Sequence, residues 1–117
     1  MTLDMPAEVR STAESLARWA AEAVPGEADL ELAQTALIDT VAVAIAGAGH
    51  PLTALVAGLP RAARWAAQAH VLDYDDLHLP STTHISTVCV PAAAATCGGA
   101  RAFLVGAGVM ARLGAAL

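Results

Sequence analysis

Three of the four histidines, and all three acids of the second half of the chain, fall within the fifteen residues from His70 to His84. The stretch reads His70-Val-Leu-Asp73-Tyr74-Asp75-Asp76-Leu77-His78-Leu-Pro80-Ser81-Thr82-Thr83-His84. Crowded like charges raise carboxylate pKa values in general, which makes one of Asp73, Asp75 and Asp76 a candidate proton donor or acceptor near neutrality. Histidine is the side chain best suited to carry protons at pH 7, so the natural chemistry of the segment is acid–base catalysis. The same residues also serve a plainer role, with aspartates solvating a loop or capping the next helix and His78 and His84 filling hydrogen-bonding positions. No HExxH, EF-hand or paired-cysteine spacing is present, so no metal is expected. Ser81 and Thr82 lack a nucleophile elbow and are read as groups that bind substrate oxygen or cap the helix beyond Ile85. His50, between Gly49 and Pro51, is a turn residue, while Met110, Trp19 and Trp65 are packing residues.

The elements that must position this segment are helical. Ser11 and Glu14 have capping-box spacing and open a helix with Leu16, Trp19 and Ala20 on one side, ending at Pro25-Gly26. Asp29 caps a second helix, in which Leu30, Ala33, Leu37, Val41 and Ala44 recur at three and four. From Val41 onward that helix is apolar all round, which predicts a buried second half. A short apolar segment, Leu52 to Leu59, precedes a helix from Arg61 to about Leu72. Residues 73–87 are irregular, Pro91 opens a helix that stops at Gly98-Gly99, and Ala100 to Leu113 forms the last. Gly106 and Gly108 weaken that last helix, each by about 1 kcal/mol relative to alanine. No convincing period-2 strand appears, so the fold class is all-α.

Composition bounds what such a chain does. Its 117 residues suit one small domain, and 30 of them are alanine. An alanine-rich core gains little per side chain, at about 0.8 kcal/mol for each buried CH₂. There is no lysine, and the net charge is −5. No basic stripe is available to neutralise phosphates, so no nucleic-acid partner is expected. Thr40 to Pro60 runs without a charge, but Gly47, Gly49, His50 and Pro51 break it, so a buried helix followed by a turn is preferred to a membrane span. Residues Met1 to Arg10 carry Asp4 and Glu8 and lack the apolar core of a secretory signal. Cys89 and Cys97, eight apart, read as buried thiols of a reducing compartment, and a cytoplasmic location is expected.

The run from His70 to His84, followed by Val90-Pro91-Ala-Ala, resembles the signature of the MmgE/PrpD family, which includes 2-methylcitrate dehydratase and cis-aconitate decarboxylase. Leu37-Ile-Asp39-Thr40-Val-Ala-Val-Ala-Ile-Ala-Gly47 and Val109-Met-Ala-Arg112-Leu-Gly114 agree with it. The resemblance extends from about Ser15 to Leu117 and covers only the beginning of the family's sequence. Residues 1–14 then form an N-terminal extension, and 70–86 a catalytic-type motif loop within a partial helical domain spanning 1–117.

That resemblance implies lyase chemistry, the elimination of water or CO₂ from a small polycarboxylate without metal or other cofactor. Asp73 and His84 match the family's active-site acid and histidine, with His84 as general acid/base. Asp76, His78, Ser81 and Thr82 become substrate-binding candidates. Asp39 and Thr40 match a structural position, a carboxylate anchoring a buried helix. Leu77 stands where many members carry a hydroxyl, and Arg64-Trp65-Ala66-Ala67 replaces the usual Asn-Gly. The later cationic residues of the family site have no counterpart, so an incomplete site is expected, served by a complementary chain or a homo-oligomer. The alternative is a non-catalytic helical remnant or interaction subunit.

Overall fold

The computed structural model describes residues 7–117, with side chains from Ser11 onward. Apolar spacing at three and four is realised as helices α1 (Ala7–Glu22), α2 (Glu27–Gly47), α3 (Leu52–Leu55), α4 (Arg61–His70), α5 (Ser86–Ala95) and α6 (Gly99–Ala116). Among the described residues there is no strand, only one isolated antiparallel bridge between His78 and Thr83, and the fold is all-α. Helices α4 and α5 lie side by side with α2 across them. Helix α6 packs on α5 and α2, and α1 rests on α6.

Several helix ends differ from the sequence expectation, each for a local reason. Ser11 lies inside α1 rather than opening it, because the helix already runs from Ala7. The opening residues of the expected 1–14 extension, 1–6, lie outside the described residues, and 7–14 belong to α1. Its half-buried residues Leu16, Trp19 and Ala20 form the expected face. Gly26 is the N-cap of α2, and Asp29 acts three residues inside, its carboxylate accepting the Gly26 N–H at 2.8 Å. An acid in the first turn also favours the positive end of the helix dipole.

Helix α5 begins at Ser86, placing Pro91 sixth instead of first. The added turn is anchored from outside. Asp76 binds Ser86, and the Thr87 hydroxyl donates to the Ala66 carbonyl of α4 at 3.1 Å. The helix ends at Ala95, before the expected glycines, in a Schellman turn: Gly98 N–H donates to Ala93 and Cys97 N–H to Ala94. Cys97 takes the left-handed conformation there, with φ of 56°, and is exposed, so only Cys89 fits the expectation of buried thiols.

The core comprises Ala33, Ile85, Cys89, Val90, Ala93 and Phe103, drawn from α2, α5, α6 and the residue before α5. Small residues let the helices approach closely. A β-carbon on Gly47 would sit 2.3 Å from the Gln68 carbonyl oxygen, so only glycine fits where α2 crosses α4. Gln68 fastens the same crossing, its side-chain amide donating to the Ala44 carbonyl at 2.7 Å. Gly108, expected to weaken α6, is where the Trp19 ring seats, 2.4 Å from a hypothetical β-carbon. The helix-propensity cost is met by contact between α6 and α1.

The expectation of a buried second half for α2 is corrected. Thr40, Val43 and Gly47 are buried, but Val41 and Ile45 are exposed, Ile45 at 70%. Helices α4, α5 and α6 cover one side of α2, and nothing among the described residues covers the other. Asp39 is likewise exposed and makes no hydrogen bond or ion pair among the described residues, so it anchors nothing there. By length and composition α2 is long and apolar enough to cross a membrane; the uncharged run at Thr40–Pro60 is itself interrupted where α2 ends. The Cα radius of gyration is 15.8 Å, against about 13 Å for a compact domain of this length. The principal extents are 48 × 40 × 28 Å, so the helices spread further in two directions than in the third.

Candidate functional site

The site grows from the last residue of α4. His70 closes that helix, and Asp73 then takes a left-handed backbone, φ 53°, while its N–H donates to the His70 carbonyl at 2.7 Å. Positive φ is uncommon outside glycine, and aspartate is among the residues that tolerate it best. The turn sends the chain back beneath the end of α4 and delivers Asp75 to the His70 ring.

Asp75 is the hub. Its side chain is 1% exposed, and it accepts from Nδ1 of His70 at 3.0 and 3.2 Å and from Nδ1 of His84 at 3.0 Å. The two rings meet edge to face, with centroids 4.7 Å apart. An ionised carboxylate can only accept, so the Nδ1 of each imidazole carries the hydrogen. In a neutral ring that leaves Nε2 as a lone pair, the arrangement by which a buried carboxylate orients a histidine base. Asp73, with its side chain 80% exposed, stands at the mouth, its Oδ1 4.0 Å from His84 Nε2. That separation is too long for a direct hydrogen bond.

The other expected site residues lie elsewhere in the hydrogen-bond network. Asp76 turns to the start of α5, where Ser86 N–H donates to its Oδ1 at 3.0 Å and the Ser86 hydroxyl donates to its Oδ2. The carboxylate thus meets the positive end of a helix dipole, although it follows the negative end of α4 in sequence. His78 Nδ1 and the Ser81 hydroxyl pair at 2.6 Å inside the turn closed by the bridge from His78 to Thr83. Thr82 has φ of 51° and its hydroxyl donates to the Ser81 carbonyl. None of these four hydrogen-bonds to His70, Asp73, Asp75 or His84. The structure therefore brings together Asp73 and His84 and adds His70, to which the sequence gives no role, and Asp75, one of the three candidate acids. The signal for Asp75 is the run of three aspartates just after His70, but pairing five and nine residues apart follows no helical or strand period.

Among the described residues no arginine pairs with the cluster, and three arginines hold the frame. Arg101 donates to the Ala20 and Ala21 carbonyls and so caps the end of α1, and Arg61 donates to Ala95 at the end of α5. Arg112 lies 3.9 Å from the Trp19 ring centroid. Within α5, burial first and the Asp76 charge second push the Cys89 thiol above its usual range, so it stays protonated and is no nucleophile at neutral pH.

An apolar groove of about 510 Å³ lies away from the cluster, between α2, α5 and α6, where Leu30, Leu37, Val90, Ala94 and Phe103 line it. It offers few polar groups to orient a substrate, whereas the loop offers two imidazoles and two carboxylates. No protein-family model, curated protein or solved structure matches the chain.

Proposed function

We propose that the loop between α4 and α5 carries acid–base chemistry of the lyase type, acting as a hydro-lyase or decarboxylase on a small polycarboxylate. The observation that carries this reading is the pair of imidazoles held by one buried carboxylate, with Asp73 facing His84 across 4.0 Å. His84 is the general acid/base at Nε2, and Asp73 is the second proton-transfer group. Asp75 is a positioning residue that sets the tautomer of both rings. In a dehydration, the base takes a proton from the carbon next to a carboxylate while the acid protonates the hydroxyl departing from the neighbouring carbon, and two groups 4.0 Å apart reach both from one side of the substrate. The resemblance to the MmgE/PrpD signature supports the same assignment. Binding a polycarboxylate needs cations that the described residues do not bring to the cluster, so a complementary chain or a second copy supplies them.

The test is proton NMR in D₂O with the full-length chain, a chelator and either 2-methylcitrate or cis-aconitate. Deuterium incorporation, water loss or CO₂ loss above the blank is expected, with a drop of about 100-fold in His84→Gln. Equal rates in the parent and variant chains would remove the catalytic assignment. Fast turnover by the monomer would remove the claim that a further chain completes the site.

A second reading, a non-catalytic helical interaction subunit, is favoured by the uncovered apolar side chains. Ile38, Val41 and Ile45, spaced at three and four along α2, are exposed, and no large side chain among the described residues is completely buried. Surfaces of this kind mark contacts with partners. Light scattering tests it: self-association or co-assembly, without any proton exchange at carbon, is its expected signature.

A further inference from the structure

The geometry points to a binding site for a divalent transition-metal ion at the cluster, with Zn²⁺ as the type ligand, in place of the metal-free site expected from sequence. His70, Asp73, Asp75 and His84 each offer a donor atom, and these four atoms lie within 4.8 Å of one another. Two imidazoles with carboxylates form a donor set suited to zinc and its neighbours in the first transition row. Tetrahedral ligands about 2.0–2.1 Å from zinc stand roughly 3.4 Å apart. The 4.0 Å between His84 Nε2 and Asp73 Oδ1 needs only a small contraction, and Asp73 is the exposed member able to make it.

Asp75 supplies an independent argument. Metal-ligating histidines characteristically donate their other ring nitrogen to a carboxylate, which fixes the ring and strengthens it as a ligand. Here one carboxylate holds Nδ1 of both rings. Burying that carboxylate without a permanent cation is costly, and no arginine pairs with Asp73 or Asp75 among the described residues. A divalent ion brings the missing charge to the place where two acids converge. Nε2 of His84 and the Asp73 carboxylate are the ligands that already lie together, the exposed His70 ring shifts to bring its own Nε2 as the third, Asp75 stands behind the rings, and solvent fills the open side. The ion and a substrate proton are alternatives for the same lone pairs, so metal loading suppresses proton transfer at this site.

The test is equilibrium dialysis of the full-length chain against Zn²⁺ alone, after purification in chelator, with Co²⁺ absorption reporting ligand geometry. One equivalent per chain is expected. His70→Ala and Asp73→Asn change exposed side chains, and circular dichroism verifies their folding; each weakens binding at least about tenfold. Asp75→Asn, removing the orienting carboxylate, weakens it about 10- to 100-fold. His50→Ala, His78→Ala and Cys97→Ser leave it unchanged. Absence of binding, or affinity that survives His70→Ala and Asp73→Asn, overturns the proposal. This measurement contains no substrate, and the lyase assay contains a chelator, so either idea fails without the other.

Discussion

The loop between α4 and α5 and the outer side of α2 are opposites in how they are held. The loop is polar, yet its aspartates and histidines find partners within ten residues of themselves: His70 with Asp75, His84 with Asp75, Asp76 with Ser86 and His78 with Ser81. The helix side is apolar, and its side chains stay exposed among the described residues. A dense local hydrogen-bond network specifies its geometry without help from the rest of a molecule. Apolar burial depends on other elements arriving, because a helix face has nothing to pack against within itself. The contrast locates specificity in the loop and incompleteness in the frame.

Five outcomes break or sharpen this comparison, beginning with the largest. Asp75→Asn leaves a neutral amide whose single oxygen faces two Nδ1–H donors. Loss of about 3 kcal/mol in urea unfolding is expected, since hydrogen bonds to charged groups contribute about 1.5–3 kcal/mol each. An unchanged midpoint would show that the loop does not rest on this hub. Gly47→Ala forces the α2–α4 crossing apart and costs about 2 kcal/mol through overpacking. It tests whether the frame's stability lies in close helix contact. Ser86→Ala removes the hydroxyl that Asp76 accepts and costs about 1 kcal/mol, as loss of a helix cap does.

The fourth outcome concerns the open face. Ile38→Gln with Ile45→Gln shifts unfolding by no more than about 0.5 kcal/mol per site, because neither side chain is buried. A large destabilisation would show that this side of α2 is covered in solution. The smallest effect is alkaline. The Cys89 thiol is pushed up on folding, so its contribution is fully present below the ordinary value of 9.0 and is lost as pH rises through the raised one. Chain stability therefore falls more steeply above pH 9 in the parent than in Cys89→Ala, measured as the urea midpoint against pH. At neutral pH iodoacetamide modifies exposed Cys97 and spares Cys89.

What was legible from sequence follows the same division. Helix existence was legible because apolar spacing, Pro25-Gly26 and Gly47 to Pro51 are local signals. Helix ends were less so. The start of α5 moved upstream of Pro91 because Asp76 and the Ala66 carbonyl anchor Ser86 and Thr87, and no pattern in 86–95 encodes partners from outside it. Exposure of Val41 and Ile45 was illegible for a related reason, since periodicity reports which side is apolar and not whether anything covers it. In the loop, the resemblance pairs Asp73 with His84, which lie 4.0 Å apart, while in the sequence Asp75 is one of three equivalent acids. Only the left-handed turn at Asp73 distinguishes it, by choosing which of the three swings under His70.

That turn narrows the alphabet at one position. A backbone with φ of 53° is readily written with glycine, asparagine or aspartate, and of these three letters aspartate alone carries a charge. Backbone demand and chemical demand thus coincide in one residue, and they can be separated by substitution. Asp73→Asn preserves the shape and the turn while erasing the carboxylate. A change in proton transfer or ion binding in that variant is then a property of one functional group, read against an unaltered scaffold.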